Sequence, residues 1–130
     1  MKATDRVMQS YGRCCASPDF FDSFYRHFLA SSSEVREKFV NTEMSGQKLL
    51  LRQGILNLVM HARGLPDTKL RALGCSHSRA AMDIRPGLYD LWQQALLVTI
   101  GEHDPQYCSE TRSAWNEVLD KGIAVIKAGY

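Results

Sequence analysis

The chain has 130 residues, 45% of them hydrophobic and 23% charged, which is enough for one domain with a substantial core and ordinary for a soluble globular protein. A net charge of +2, with no run of like charges, argues against a nucleic-acid partner. The longest apolar stretch, around Leu96 to Ile100, is far too short to span a membrane, and the charged start MKATDRVMQSYGR has no apolar signal region, so a cytoplasmic product is expected. The four cysteines, Cys14, Cys15, Cys75 and Cys108, form no C-x-x-C pair, and no histidine stands at zinc spacing from a cysteine pair. Reduced thiols packed as small hydrophobes are the expectation.

Taken in order, residues 4–15 predict a helix with Val7, Met8, Tyr11, Cys14 and Cys15 on one side. Ser17-Pro18-Asp19 then reads as a cap, a first helical position and a first-turn acid. The helix after it carries Phe20, Phe21, Phe24, Tyr25, Phe28 and Leu29 and must be largely buried. The Tyr25 hydroxyl enters that apolar surface and needs a partner. Ser31 to Ser33 break the helix, with Glu34 placed to close a capping box from Ser31, and a short helix ends at Phe39.

Val40 to Gly46 reads as a loop, and a helix over 45–62 aligns Gln47, Leu51, Ile55, Leu58 and Val59. Gly64-Leu65-Pro66-Asp67 stops it. In the short helix that follows, Leu70, Leu73 and His77 share one face. A histidine there is either satisfied within the core or available to hold a haem iron from one side.

A corner at Asp83 to Pro86 leads to a helix over 86–102 that buries Leu88, Tyr89, Trp92, Leu96 and Ile100. After a turn at His103-Asp104-Pro105, a last helix over 109–128 shows the cleanest periodicity: Trp115, Val118, Leu119, Gly122, Ile123 and Ile126. With no strand alternation, the fold class is all-α, with about seven or eight helices. His27, His61 and His103 read as edge, helix-end and turn residues rather than as ligands.

Together these features resemble the globin family, in particular single-domain bacterial globins related to the haem domain of flavohaemoglobins, over the whole of 1–130. FFDSFYRHFLASSSEVREKF is similar to that family's second and third helices, with Tyr25 and Phe39 fourteen residues apart. Gln47 and Leu51, one turn apart, resemble its distal pair. His77 followed by Ile84, Pro86 and Tyr89 resembles its proximal histidine, corner and next helix, and Ala114-Trp115 opens a helix like its last.

The resemblance implies a globin fold around a haem b, with His77 as iron ligand, its second ring nitrogen donating to a backbone carbonyl near Leu73, Phe39 against the porphyrin, and Leu51 over the distal face. Leu73 and Leu96 would line the pocket further. Tyr25 and Gln47 would donate hydrogen bonds to a polarised gas ligand, with Lys48 or Leu50 replacing Gln47 if the register slips. Arg79, Arg85, Lys48 and Arg52 are candidates for the haem propionates.

The implied function is reversible binding of dioxygen or another diatomic gas, such as nitric oxide or carbon monoxide. The alternative is nitric oxide dioxygenation with a separate reductase, which would make the chain an enzyme. The chain departs from flavohaemoglobins in showing no flavin or nicotinamide reductase domain, and in two features of the proximal side, where in that group a late glutamate and a tyrosine like Tyr89 polarise the proximal histidine. The late glutamate is replaced by the KAGY region, and the spacing from His77 to Tyr89 is slightly longer.

Overall fold

The computed structural model describes residues 1–130. It contains seven helices and no strands: α1 (Ala3–Cys15), α2 (Phe20–Ala30), α3 (Ser33–Lys38), α4 (Met44–Ala62), α5 (Thr68–Ser76), α6 (Gly87–His103) and α7 (Ser109–Lys127). The all-helical expectation holds. The long helix α7 is the floor of the molecule: α1, α4 and α5 all pack on it, while α2 packs on α6. Its buried residues follow the periodicity of the sequence, with Trp115, Val118, Leu119, Gly122, Ile123 and Ile126 turned inward.

Several helix starts differ from expectation in their chemistry. Ser32, not Ser31, caps α3, accepting from the Glu34 and Val35 N–H groups. The Glu34 carboxylate pairs with Arg85 instead of closing a capping box, because a guanidinium from the distant corner outcompetes a local backbone donor. The helix after Ser17 starts later than its signal suggests, at Phe20, since the Ser17 hydroxyl donates to the Asp19 carboxylate rather than capping. Glu43 caps α4 through its carboxylate, which accepts from the Ser45 and Gly46 N–H groups, so the expected 40–46 loop closes early at Met44. Of the cysteines only Cys14 is buried; Cys15, Cys75 and Cys108 are exposed, so the picture of four packed thiols holds for one.

A buried polar cluster ties α1 to the corner between α6 and α7. The Asp104 carboxylate, 3% exposed, accepts from Ser10 Oγ at 2.6 Å, Arg13 Nε at 2.6 Å and the Gln106 N–H at 2.9 Å. Trp115 Nε1 in turn donates to Ser10 Oγ at 3.0 Å. Burial alone would raise the Asp104 carboxyl, but the bonds from Arg13, Ser10 and the Gln106 N–H hold it below its ordinary value. A depressed carboxyl stabilises the fold above the unfolded-state value, and that stability is lost as pH falls through the folded-state value. Asp104→Ala should therefore cost about 3 kcal/mol at neutral pH by stranding Arg13 and Ser10. Its deficit relative to wild type should shrink below about pH 4. Urea unfolding of both proteins across that range measures this.

The packing of α5 on α7 requires glycine at one point. A methyl group built on Gly74 would meet the Ile126 carbonyl oxygen at 2.8 Å, a backbone atom that cannot swing away. Gly74→Ala should thus destabilise by about 1–2 kcal/mol, the clash exceeding the gain in helix propensity. A shift of the chemical-denaturation midpoint with unchanged slope is the expected readout.

Candidate functional site

α4 and α5 form a helical hairpin joined by residues 63–67, and both lean on α7. Gln47, in the first turn of α4, and His77, just past the end of α5, lie away from the joining loop. The faces of α4 are told apart by what they touch. Leu51, Ile55, Leu58 and Val59 enter the core. Lys48 pairs with Asp22, and the Arg52 guanidinium sits 5.4 Å from the Phe21 ring centre, so that flank faces α2. Gln47, Leu50 and Gly54 share the remaining flank by helical spacing. Leu50 there is 59% exposed, an apolar side chain that the protein leaves uncovered beside half-buried Gln47. The sequence presents Leu50 only as an alternative to Gln47; the helix presents the two together. Lys48 is turned away.

His77 is the C-cap of α5. Its N–H donates to the Leu73 carbonyl at 2.9 Å, and its own carbonyl accepts from the Ile84 N–H at 2.9 Å. The ring is half-buried, and Nδ1 lies 2.8 Å from Tyr89 Oη. This corrects the expectation that Leu73 holds the ring. The Leu73 carbonyl already accepts from the His77 N–H and, at 2.9 Å, from Ser76 Oγ, so both its lone pairs are taken. Tyr89 reaches the imidazole despite the longer spacing because the 78–86 loop absorbs the added residues and folds back onto His77 through the Ile84 bond. Burial lowers the His77 pKa, favouring neutral imidazole. Nδ1 is thus engaged by a hydroxyl that can donate or accept; in the tautomer with Nδ1–H donating to Tyr89, the Nε2 lone pair, which makes no hydrogen bond, is left for a ligand.

Tyr25 is buried and donates its hydroxyl to the backbone carbonyl of Gln47 at 3.2 Å. The expected pair is thus in contact, but through the main chain of Gln47. Burial pushes the Tyr25 hydroxyl up to about 12, so it remains a donor throughout the physiological range. Phe39, half-buried at the end of α3, stands edge-on to Tyr25 and to Phe28, with ring centres 5.9 Å apart in both pairs. Leu51 is buried one turn beyond Gln47, and Leu73 is half-buried one turn before His77. Leu96 is different: it is fully covered by protein in the core and offers no free surface.

The other histidines have separate surroundings. His27 pairs with Glu102 at 2.7 Å, and His103 lies edge-on to Phe20 with ring centres 5.7 Å apart. His61 does not cap its helix; its Nδ1 is buried without a partner. The four basic candidates for propionates all have protein neighbours: Arg85 on Glu34, Lys48 on Asp22, Arg79 over the Tyr130 ring at 5.1 Å and Arg52 over Phe21.

The His77 imidazole, with Nε2 making no hydrogen bond, is the kind of donor that holds a haem iron, and Leu50, Leu51, Leu73, Phe39 and Ile84 are apolar side chains of the kind that contact a porphyrin. Comparison with known proteins points the same way. A protein from Pseudomonas aeruginosa, whose crystal structure is described as structurally highly homologous to a human hemoglobin, is 67% identical to this chain. The match has a TM-score of 0.98 and covers 99% of this chain and 98% of that one. No curated protein matches the chain. The globin family model matches residues 22–126, from the first turn of α2 to the end of α7. With helices, donor set and family match in agreement, the chain belongs to the globin family, whose membership implies a bound haem and small gas ligands.

Proposed function

We propose that the chain holds haem b with His77 as the axial iron ligand and binds dioxygen, or another diatomic gas such as nitric oxide or carbon monoxide, reversibly in the cytoplasm. The observation that supports this best is the state of His77: neutral, fixed through Nδ1 by Tyr89, with Nε2 unpartnered. When bound, the haem supplies a ferrous iron that can take a diatomic gas.

The rest is the work of side chains. Tyr89 orients the imidazole through its bond to Nδ1. Phe39, Leu51 and Leu73 provide apolar contact for a porphyrin, and Leu50 adds to it from the α4 flank. Tyr25 supplies a protonated hydroxyl, and Gln47 a side-chain amide, as donors to a gas ligand carrying negative charge. Leu96 supports the site from the core behind it.

A second reading, nitric oxide dioxygenation with electrons from a separate reductase, is favoured by one observation. Tyr89 contacts His77 despite the longer spacing, supplying the proximal tyrosine without the late glutamate. Repeated cycles distinguish the two. Reversible binding predicts that oxygen is taken up and released unchanged, and that nitric oxide yields nitrate once per haem. Sustained nitrate formation with a supplied reductase would move the assignment to the enzyme.

A further inference from the structure

Tyr89 holds the His77 ring and the Leu73 carbonyl its N–H, but the backbone that follows it has little local support. His77 sits past the end of a nine-residue helix, too short to be stable in isolation, and the 78–86 stretch that follows is not helical. The carbonyl of His77 depends on the Ile84 N–H, so the position of residue 84 bears on the histidine. The residue before it, Asp83, has φ +52°, the only non-glycine residue in the left-handed region. Aspartate tolerates that conformation better than most residues, but something must keep it there.

The geometry points to Tyr130. Beyond α7, its hydroxyl donates to Asp83 Oδ1 at 2.6 Å, and its carbonyl accepts from the Arg79 N–H at 3.4 Å. The Arg79 guanidinium lies 5.1 Å from the Tyr130 ring centre, within cation–π range. Tyr130 comes this close because Gly129 packs on Gly74: a methyl group on Gly129 would meet the Gly74 carbonyl carbon at 2.9 Å. Of the other tethers, Lys38 to the Met82 carbonyl and Arg85 to Glu34 run to α3, the Met82 N–H donates to the Ser76 carbonyl of α5 at 3.1 Å, and the Asp83 N–H donates to the Ser78 carbonyl within the loop at 2.9 Å. Only Tyr130 ties the loop to the end of α7, the helix on which α5 itself rests.

We propose that Tyr130 is a positioning residue for His77, clasping Asp83 so that Ile84 holds the histidine backbone in register with α5 and α7. This inference rests on the assignment of His77 as the haem ligand.

Tyr130→Phe removes one hydroxyl and keeps the ring over Arg79. Asp83→Asn keeps both an acceptor for Tyr130 and tolerance of the left-handed backbone. Amide hydrogen exchange at Asp83 and Ile84, on protein as purified, should be about three- to tenfold faster in Tyr130→Phe and close to wild type in Asp83→Asn. In haem-loaded protein, Tyr130→Phe should also shift the iron–histidine stretching frequency and speed haem loss to excess apomyoglobin, while Asp83→Asn should do neither. Unchanged stretching frequency and haem loss in Tyr130→Phe overturn the proposal, even if the loop exchanges faster. A wild-type protein that takes up no haem overturns the functional reading instead, and is seen before any variant is made.

Discussion

His77→Leu should lose stable haem retention while remaining helical. The replacement keeps an apolar side chain of similar reach but removes both ring nitrogens, so the Tyr89 hydroxyl also loses its partner. Burial of His77 is only partial and its backbone bonds to Leu73 and Ile84 do not involve the side chain. The fold should therefore weaken by only about 1–2 kcal/mol. Haem affinity should fall by orders of magnitude because the one unpartnered imidazole nitrogen on this side is gone. His27 and His103 are engaged elsewhere, with Glu102 and against Phe20, and offer no replacement. Far-ultraviolet circular dichroism and haem content after purification check both halves. A variant that retains wild-type haem content would transfer the ligand role to another residue, with His61 first in line.

Tyr25→Phe should release oxygen about tenfold faster, with carbon monoxide release much less affected. The substitution conserves ring volume and its edge-on contacts with Phe24 and Phe39, so packing is expected to survive. What it removes is a hydroxyl that burial keeps protonated. That hydroxyl already has an acceptor, the Gln47 carbonyl at 3.2 Å. Donation to a gas must exchange this long neutral bond for a charge-assisted one, which limits the net gain to about 1–2 kcal/mol. Carbon monoxide carries less charge on its outer atom, so the ratio of the two effects, measured by stopped flow, is diagnostic. Equal shifts for both gases would reduce Tyr25 to a packing aromatic. Gln47→Leu should act in the same direction more weakly, because only its backbone is seen in contact with Tyr25.

The elements were legible where the signal is local. The stripes of α1, α2 and α7, the breaks at Gly64 to Asp67 and Asp83 to Pro86, and the apolar face shared by Leu70, Leu73 and His77 all arise from side-chain periodicity and turn chemistry. What was not legible depends on contacts between residues far apart in the chain. Nothing near His77 reveals that the Leu73 carbonyl is already saturated, or that a loop folds back to bring Tyr89 to Nδ1.

In sequence Glu34 reads as half of a capping box, but Arg85, 51 positions away, holds its carboxylate. Asp104 reads as a turn residue, and nothing local marks it as the acceptor for Ser10, 94 positions away, and for Arg13. Leu50 shows the opposite case: helical spacing alone puts it on the Gln47 flank, but its exposure was needed to see that the protein leaves it uncovered.

Titration of the wild-type protein with haem, read as the ferrous carbonyl absorption spectrum, should saturate at one haem per chain, with the sharp Soret band of a histidine-ligated carbonyl haem, and His77→Leu should lose that saturation. Failure of the wild-type protein to saturate, or a His77→Leu titration indistinguishable from it, would remove His77 as the ligand of a bound haem.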